Sequence, residues 1–382
     1  MKIIRFTGRI LVGLVFIFSG FVKAVDPWGT TYKFEEYFEA LGLEAIVPYA
    51  FGFAVVMIAI EFIVGYCLLL GVKMRLSSWL ALLLMLFFLP LTLWLAVSNK
   101  VSDCGCFGDA VKLTNWETFY KNIITMLLVL FIFIQQKRFK PYCSCSKQWL
   151  LSGIGIGIVA FIMWHSYAHL PLIDFLPYKV GNNITEMMKI PDGMSKDEYE
   201  QFITLKDTTL NKTIEIPVDT YSHDSTYWGT GTKYKYISIS EAHLVKEGYK
   251  SPIHDFTINT ASRINILDSV LELDNYTFIL ISTKLENANL SNIKTINNLA
   301  RWASNKKFLF IGLTSSLRED INKFIISTQT PYMIYGCDET ALKTIVRANP
   351  GIILLKKGTI VAKWHYNDII TPEEFEKQYL TK

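Results

Sequence analysis

The chain has 382 residues, of which 51% are hydrophobic, and it carries a formal net charge of +4. Because the basic residues are not gathered into one face, nothing in the charge pattern supports nucleic-acid binding. Apolar runs of membrane-spanning length are confined to residues 1–170, and residues 175–382 have the composition of an ordinary soluble chain. The sequence therefore predicts a domain embedded in the lipid bilayer, followed by a soluble one.

Five apolar runs are long enough to cross a bilayer, since a spanning helix needs about 20 predominantly apolar residues. We place the spans near residues 6–25, 46–70, 76–98, 119–136 and 149–169. The first run follows basic residues, as the apolar part of a signal peptide does. No small-residue cleavage site follows it, so we interpret it as a retained helix.

The positions of Lys and Arg predict the orientation, because cytoplasmic loops carry an excess of these residues. They lie before the first span, between the second and third, and between the fourth and fifth, namely Lys2, Arg5, Arg9, Lys73, Arg75, Lys137, Arg138, Lys140 and Lys147. We therefore expect a multi-pass protein of the bacterial inner membrane with a cytoplasmic N-terminus. An odd number of spans then places the C-terminal half in the periplasm.

Two short segments lie on the predicted outer side of the membrane. Residues 30–43 mix aromatic and charged side chains as a short amphipathic surface helix would. This helix is either an interfacial connector or a lid over the loop between the third and fourth spans. That loop contains the second segment, which has the most conspicuous reactive groups outside the lipid.

The sequence of this loop, which we call the CGC loop, is Asp103-Cys104-Gly105-Cys106-Phe107-Gly108-Asp109. By the predicted orientation, Cys104 and Cys106 are exposed on the oxidising side, just before a helix that Thr114 and Glu117 would begin as a capping box. A thiolate is the form that exchanges with a disulfide, and a glycine between the cysteines makes their small ring feasible. The pair is a candidate redox dithiol. The alternative is a static disulfide or two unpaired thiols in a tight loop.

The other cysteines carry weaker hypotheses. Cys143 and Cys145 form a second Cys-x-Cys motif, but the predicted membrane separates it from the first, so we predict no shared metal site. No cofactor is identifiable, although electrons could cross about 30 Å of hydrocarbon between the motifs only on a carrier such as a quinone. Cys337 is either a resolving thiol for a mixed disulfide with the membrane dithiol or one more small buried residue.

Glu61 lies deep within the second span, where an ionisable side chain is costly unless it faces the bundle interior with a partner. Arg9 and Lys23 of the first span are the candidate partners. A structural ion pair and a proton- or quinone-linked role both stay open. Gly13 and Gly20 of the first span are small residues that would let another helix approach closely.

From residue 253 onward, strand-like and helix-like segments alternate in the manner of a layered α/β domain. The predicted strands are 276–281, 307–313, 352–355 and 359–364, and the predicted helices are 289–303, 317–327, 339–347 and one after Thr371. The first strand is continuously apolar, as buried strands are. The last two strands form a hairpin around Lys356-Lys357-Gly358.

Several residues of the first half match the MauE/DoxX family of redox-associated membrane proteins. They are Arg9, Gly13, Phe18-Ser19-Gly20-Phe21-Val22-Lys23, Glu61, Gly65, Gly71 and, above all, Cys104-Gly105-Cys106-Phe107-Gly108. This resemblance covers residues 1–140 and implies a four-helix membrane bundle with a periplasmic dithiol. Members of the family are associated with maturation of periplasmic proteins or with quinone-linked sulfur oxidation.

The second half resembles thioredoxin-like domains over residues 253–382. Pro350 before a buried strand resembles the cis-proline that faces the active site in that fold, which implies a cis Asn349–Pro350 bond on a peptide-binding surface. The Cys-x-x-Cys of that family would follow the strand that ends near Ile281. The sequence there is Ser282-Thr283-Lys284-Leu285-Glu286, so this domain has no dithiol in that place.

We therefore expect an α-helical membrane bundle followed by an α/β thioredoxin-like domain. The segments are a four-helix domain (1–140), a cytoplasmic loop with a fifth span (141–174), a strand-rich exported extension (175–252) and the thioredoxin-like domain (253–382). The leading hypothesis is a membrane protein whose CGC pair exchanges thiol and disulfide equivalents with a periplasmic protein partner recruited by the exported domain. The alternative is a non-catalytic assembly or maturation factor, or a complex subunit, that docks periplasmic clients. Small-molecule transport would rest on Glu61 alone.

Overall fold

The computed structural model describes residues 2–101, 103–140, 143–195, 198–246 and 248–381. Five helices of its N-terminal part are long and apolar enough to cross a membrane, as predicted, so the protein is a multi-pass membrane protein. The helices of this part are α1 (Lys2–Val25), α2 (Pro27–Ala40), α3 (Ala50–Leu70), α4 (Met74–Ser98), α5 (Asn115–Gln135) and α6 (Cys145–Ala168). All of them except α2 belong to the spanning segments.

Helices α1 and α3 pack with their backbones in contact. A Cβ atom at Gly20 would lie 2.6 Å from the backbone nitrogen of Phe62, and one at Gly65 would overlap the backbone nitrogen of Ile17. Small residues permit this approach in membranes, where packing rather than the hydrophobic effect holds helices together. The prediction that Gly13 and Gly20 allow another helix to come close is confirmed.

Two capped helix starts lie at the ends of the segments outside the membrane. Asp26 is the N-cap of α2 and accepts a hydrogen bond from the Gly29 N–H, with Pro27 at the first helical position. Thr114 and Glu117 form the predicted capping box at the start of α5. The CGC loop is therefore held between the end of α4 and a capped helix.

Residues Asn183–Asp255 form a compact unit of their own. Its elements are α7 (Ile184–Met188), β1 (Glu198–Glu200), β2 (Phe202–Asp207), β3 (Lys212–Pro217), α8 (Val218–His223), β4 (Tyr234–Ile239) and β5 (His243–Lys246). Strand β2 pairs with β3 on one side and β4 on the other, both antiparallel, and β1 pairs antiparallel with β5.

The C-terminal domain has a five-stranded mixed sheet. Its elements are α9 (Leu267–Leu271), β6 (Thr277–Ser282), α10 (Ile293–Asn305), β7 (Leu309–Thr314), α11 (Arg318–Thr328), β8 (Met333–Gly336), α12 (Glu339–Ile345), β9 (Gly351–Lys356), β10 (Thr359–His365) and α13 (Pro372–Phe375). The strand order is β10-β9-β6-β7-β8, with β6, β7 and β8 parallel and β9 and β10 antiparallel to their neighbours. This is the thioredoxin-like α/β domain that the sequence predicts.

Two elements of this domain are absent from the sequence-based prediction, α9 and the edge strand β8. Strand β8 has four residues and lies between Pro331 and Cys337, so it is too short to show a hydrophobic period. Strand β6, by contrast, is buried along its whole length and was evident from its apolar run. Length and burial thus decide which strands a sequence reveals.

We expect Gly20→Ala to destabilise the membrane bundle by about 1–3 kcal/mol, because the added methyl group has no room against the backbone of α3. Denaturant titration of the full chain in detergent micelles would measure the loss as a change in the free energy of unfolding. Gly52→Ala in α3 is the matched control, since nothing lies within 4 Å of a Cβ there. Equal stability of the two variants would contradict backbone contact between α1 and α3.

Candidate functional site

The CGC loop brings its two thiols together. The sulfur atoms of Cys104 and Cys106 lie 2.8 Å apart. Gly105 between them has a φ of +63°, a left-handed conformation that glycine adopts at little cost. Its N–H donates to Asp103 Oδ1 at 2.8 Å, which closes a tight turn. The loop is therefore shaped so that both sulfurs point to one place.

The pair is less exposed than the sequence suggested. Cys104 is 8% exposed, and Cys106 is half-buried. Tyr37 of α2 packs against Cys104 and donates its hydroxyl hydrogen bond to the Cys104 carbonyl. Lys33, one turn earlier, lies 3.3 Å from Asp103. Helix α2 thus covers the loop, as the lid alternative expects and a mere connector would not.

The two thiols have different acidities. A hydrogen bond from Cys104 lowers the pKa of Cys106 to about 6, and the ammonium groups of Lys121 and Lys23 act in the same direction. The same hydrogen bond, together with burial, raises the pKa of Cys104 well above its usual range. Of the two thiols, Cys106 is therefore the one that ionises first as the pH rises, and the thiolate is the reactive form of a cysteine.

The two acidic residues of the loop are each paired with a cation. Asp103 is paired with Lys33, and Asp109 lies 3.4 Å from the guanidinium of Arg347 and 3.9 Å from Lys112. These pairs reduce the negative field at the sulfurs, since opposite charges at such distances largely compensate one another.

A buried polar cluster in the bundle supports the loop from below. Lys23 Nζ lies 2.8 Å from Glu61 Oε2 and 3.2 Å from Ser19 Oγ. Ser19 lies 3.0 Å from Glu61 Oε2 and 2.6 Å from the Cys106 carbonyl oxygen. Of the two partners proposed for Glu61, the structure pairs it with Lys23. Arg9 instead lies against Gly71, near the other end of α1.

A small cavity joins this cluster to the thiol loop. It measures about 30 Å³, and its lining includes Ser19, Glu61, Cys106, Lys121 and Asn122. A volume of this size holds about one water molecule when polar partners are present. Lys121 also stacks its ammonium on the Phe107 ring at 4.2 Å, which keeps this cation beside the loop.

The thioredoxin-like domain is tied to the same region by a buried arginine. Arg347, 4% exposed, lies 2.9 Å from Asp26, the N-cap of α2, and 3.4 Å from Asp109 of the CGC loop. Lys343 on α12 lies 3.3 Å from Glu35 of α2. Three acidic side chains are therefore paired with the segment of this domain just before its cis-proline. They are Asp26 and Glu35, at α2, and Asp109, in the CGC loop.

That edge has no thiol. The Asn349–Pro350 peptide is cis, as predicted. Ser282, at the end of β6, donates a hydrogen bond to Asn349 Oδ1 at 2.6 Å, and Asn349 Nδ2 donates to the Lys284 carbonyl at 3.0 Å. The position where a Cys-x-x-Cys would stand is thus a hydrogen-bonded polar loop. Cys337 is 7% exposed, so of its two interpretations the structure favours a small buried residue over a resolving thiol.

The second Cys-x-Cys motif lies at the other end of the bundle. Cys145 is the first residue of α6, and the whole of α5 separates it from the CGC loop. A helix of 21 residues is about 30 Å long, so the two motifs cannot share one site. Lys73 Nζ lies 3.5 Å from the Cys145 sulfur.

Several residues of the site were not identified from the sequence. They are Asp26, Tyr37, Lys121 and Arg347, and Ser19 was noted only as part of a motif. Asp26 precedes a proline, as the N-cap of a helix often does, and Arg347 stands three residues before the predicted cis-proline. Each position could therefore have been noticed in the sequence. Their pairing spans 321 residues of sequence and has no local signature.

Comparison with known proteins gives a family match for the membrane domain. Residues 1–135 match the family described as methylamine utilisation protein MauE. No curated protein matches the chain. The solution structure of a "putative protein disulfide isomerase from Bacteroides thetaiotaomicron" is similar, with 19% identity over 33% of this chain and 82% of that chain and a TM-score of 0.26. The resemblance of the N-terminal domain to the MauE family is confirmed.

We expect the alkylation rate of Cys106 in the reduced full chain to rise with pH through a midpoint near 6, because only the thiolate reacts. Cys104→Ala removes the hydrogen bond and should move the midpoint up toward the value of an ordinary thiol, about 8.5. Cys104→Ser keeps a donor and is the matched control, with a midpoint below that of the alanine variant. Peptide mass spectrometry after timed alkylation gives the rates. A midpoint that is the same in all three proteins would contradict this account of the acidity of Cys106.

A second prediction concerns the buried ion pair. Lys23→Met leaves the Glu61 carboxylate buried without its partner, so we expect a loss of about 3–5 kcal/mol in the free energy of unfolding. In a double-mutant cycle with Glu61→Gln, Lys23 should show strong coupling to Glu61. The matched cycle with Arg9→Met should show coupling near zero. The reverse ranking would assign Glu61 to Arg9.

Proposed function

We propose that the protein exchanges thiol and disulfide equivalents with a protein partner through Cys104 and Cys106. The observation that carries this proposal is the pair of adjacent sulfurs, one half-buried and the other buried. The lowered pKa of Cys106 beside the raised pKa of Cys104 supports it. A static loop needs neither the difference in acidity nor the lysines beside Cys106. The MauE family match adds a redox-associated setting for the membrane domain.

The exchange follows from the arrangement of the two thiols. The Cys106 thiolate attacks one sulfur of a partner disulfide, and the other partner sulfur leaves as a thiolate that takes up a proton. Cys104 then loses its proton and attacks Cys106 in the mixed disulfide. The products are a Cys104–Cys106 disulfide and a partner with two thiols, so one electron pair has passed to the partner. Run backward, the same steps oxidise a partner dithiol.

The thioredoxin-like domain would bring the partner to the dithiol. It has no thiol at the usual position, yet its cis-proline edge is anchored to the lid and the CGC loop by Arg347. A partner segment bound beside Asn349 and Pro350 would therefore lie near Cys106. In this division of labour, one domain binds the partner and the other carries out the exchange.

The partner we propose is periplasmic. The segments at the end of the bundle opposite the CGC loop carry nine Lys and Arg residues, which supports a cytoplasmic position for that end; they are Lys2, Arg5, Arg9, Lys73, Arg75, Lys137, Arg138, Lys140 and Lys147. The CGC loop and the thioredoxin-like domain would then lie in the periplasm, where disulfides form and persist. The membrane would accordingly be the bacterial inner membrane.

We assign the exchange to a protein partner rather than to a quinone. The cavity beside Cys106 has room for about one water molecule, which supports a partner that meets the thiols from outside the bundle. The water-sized space, with Glu61 and Lys23 below it, suits the uptake or release of a proton at Cys106.

A non-catalytic role as an assembly factor is the second candidate. The burial of Cys104 beneath α2 favours it, because a resolving thiol must be reached by a mixed disulfide. In this alternative the CGC turn only shapes the surface to which the thioredoxin-like domain is anchored, and clients dock without a change in their thiols.

Trapping of a mixed disulfide separates the two candidates. We expect Cys104→Ser, in cells making the full chain, to accumulate a reducible covalent adduct through Cys106, because no resolving thiol remains. Cys106→Ser should form none, and Cys337→Ser is the control that should behave as the unmodified protein. Detection is by non-reducing electrophoresis after acid quenching and alkylation.

The outcome that supports the assembly factor is equally definite. The variant with Cys104→Ser and Cys106→Ser would retain full function, and the alkylation state of the two cysteines in cells would not change when partner disulfides are reduced.

A further inference from the structure

A second cavity lies at the end of the bundle opposite the CGC loop. It measures about 600 Å³ and is formed where the α3–α4 turn meets the end of α5 and the start of α6. Its lining includes basic, amide and aromatic side chains, namely Lys73, Arg75, Trp79, Gln136, Lys137 and Trp149. The thiol chemistry uses none of them.

The charged side chains that line this cavity in the described part of the chain are all positive. Lys73, Arg75 and Lys137 line it, and the described lining residues include no aspartate or glutamate. Within the described part of the chain, no ion pair of these three with a carboxylate is formed. Three cations around one concave surface attract an anion.

The cavity is held in shape by its own contacts. The Lys73 backbone N–H donates to Gln148 Oε1 at 3.0 Å, and Gln148 Nε2 donates to the Cys143 carbonyl at 3.1 Å. The Lys73 ammonium lies over the Trp149 ring at 3.8 Å. Gln136 also lines the cavity, and among the described residues no donor hydrogen-bonds to its buried Oε1, so a ligand hydroxyl that reached it would satisfy it.

The position of the cavity indicates which anion it takes. It lies where the apolar spans end, at Leu70, Met74, Arg138 and Cys145, which is the depth of lipid headgroups. Trp79 and Trp149 are 47% and 60% exposed there, as tryptophans at a membrane interface are. The aliphatic side chain of Leu76 continues the lining toward the hydrocarbon.

We propose that this cavity binds the phosphate-bearing headgroup of an anionic membrane lipid. The three cations contact the phosphate, and a headgroup hydroxyl donates to Gln136. Phosphate oxygens accept the several donors that an arginine and two lysines supply, and basic pockets between spanning helices are suited to such headgroups. A soluble phosphate compound has the same chemistry, but the membrane depth and the tryptophans favour the lipid.

The test is native mass spectrometry of the full chain, stripped of lipid in detergent and titrated with phosphatidylglycerol or with phosphatidylcholine of the same acyl chains. We expect one phosphatidylglycerol to bind about tenfold more tightly than phosphatidylcholine. The variant with Lys73→Gln, Arg75→Gln and Lys137→Gln should lose this preference. The matched control carries Arg138→Gln, Lys140→Gln and Lys147→Gln, three equal charge changes at the same end outside the cavity, and should keep it.

Three results would overturn the proposal: equal binding of the two lipids, a preference that survives in the cavity variant, or equal losses in both triple variants. Arg75→Gln alone, at an exposed side chain, provides the same comparison should the triple variant not fold. A further arm uses inorganic phosphate. Displacement of phosphatidylglycerol by millimolar phosphate, with phosphate binding that depends on the same three residues, would assign the site to a soluble phosphate and overturn the lipid assignment.

Discussion

The buried contact between Lys23 and Glu61 is the interaction on which the site depends. Each side chain is almost inaccessible, and a lone charge in that position would be strongly unfavourable in lipid. Their pairing ties α1 to α3 at the level where glycines already bring the two backbones together. Ser19, one turn before Lys23, extends the pair to the Cys106 carbonyl, so the thiol loop is anchored in the membrane domain.

This anchoring explains how a short loop can place two thiols reproducibly. Cys106 is held from below by Ser19, and the Cys104 carbonyl is held from above by Tyr37. The hydrogen bond between the two thiols is the main cause of their difference in acidity, and Lys121 and Lys23 add positive charge on the Cys106 side. The polar cluster therefore has both a packing role and an electrostatic one.

The thioredoxin-like domain departs from its fold family in a way that fits this arrangement. Its own site near Ser282 has become a hydrogen-bonded loop around Asn349, while Arg347, just before the cis-proline, is directed to acidic groups of the membrane domain. Arginine suits this role, because its planar group can engage two carboxylates at once and stays charged when buried. The fold thus keeps the cis-proline of its family, while the closely spaced cysteine pair lies in the membrane domain.

Much of the architecture follows from local sequence signals. The five spans come from uninterrupted apolar runs, the start of α5 from Thr114 and Glu117, and the main strands from continuous apolar segments. The cis bond at Pro350 was implied by the resemblance to thioredoxin-like domains and not by a local signal alone. Strand β8 was missed because four residues show no period, and the burial of Cys104 was missed because it depends on α2, more than 60 residues away.

The sequence by itself determined the membrane spans, the α/β domain and the presence of a closely spaced cysteine pair, because each is written in the period or composition of neighbouring residues. Only the tertiary structure decided that Glu61 pairs with Lys23 and not with Arg9, that Tyr37 covers Cys104, and that Arg347 reaches Asp26. These contacts join residues that are far apart in the sequence. They form only when the helices and the domain pack together, so the sequence near each residue does not reveal them.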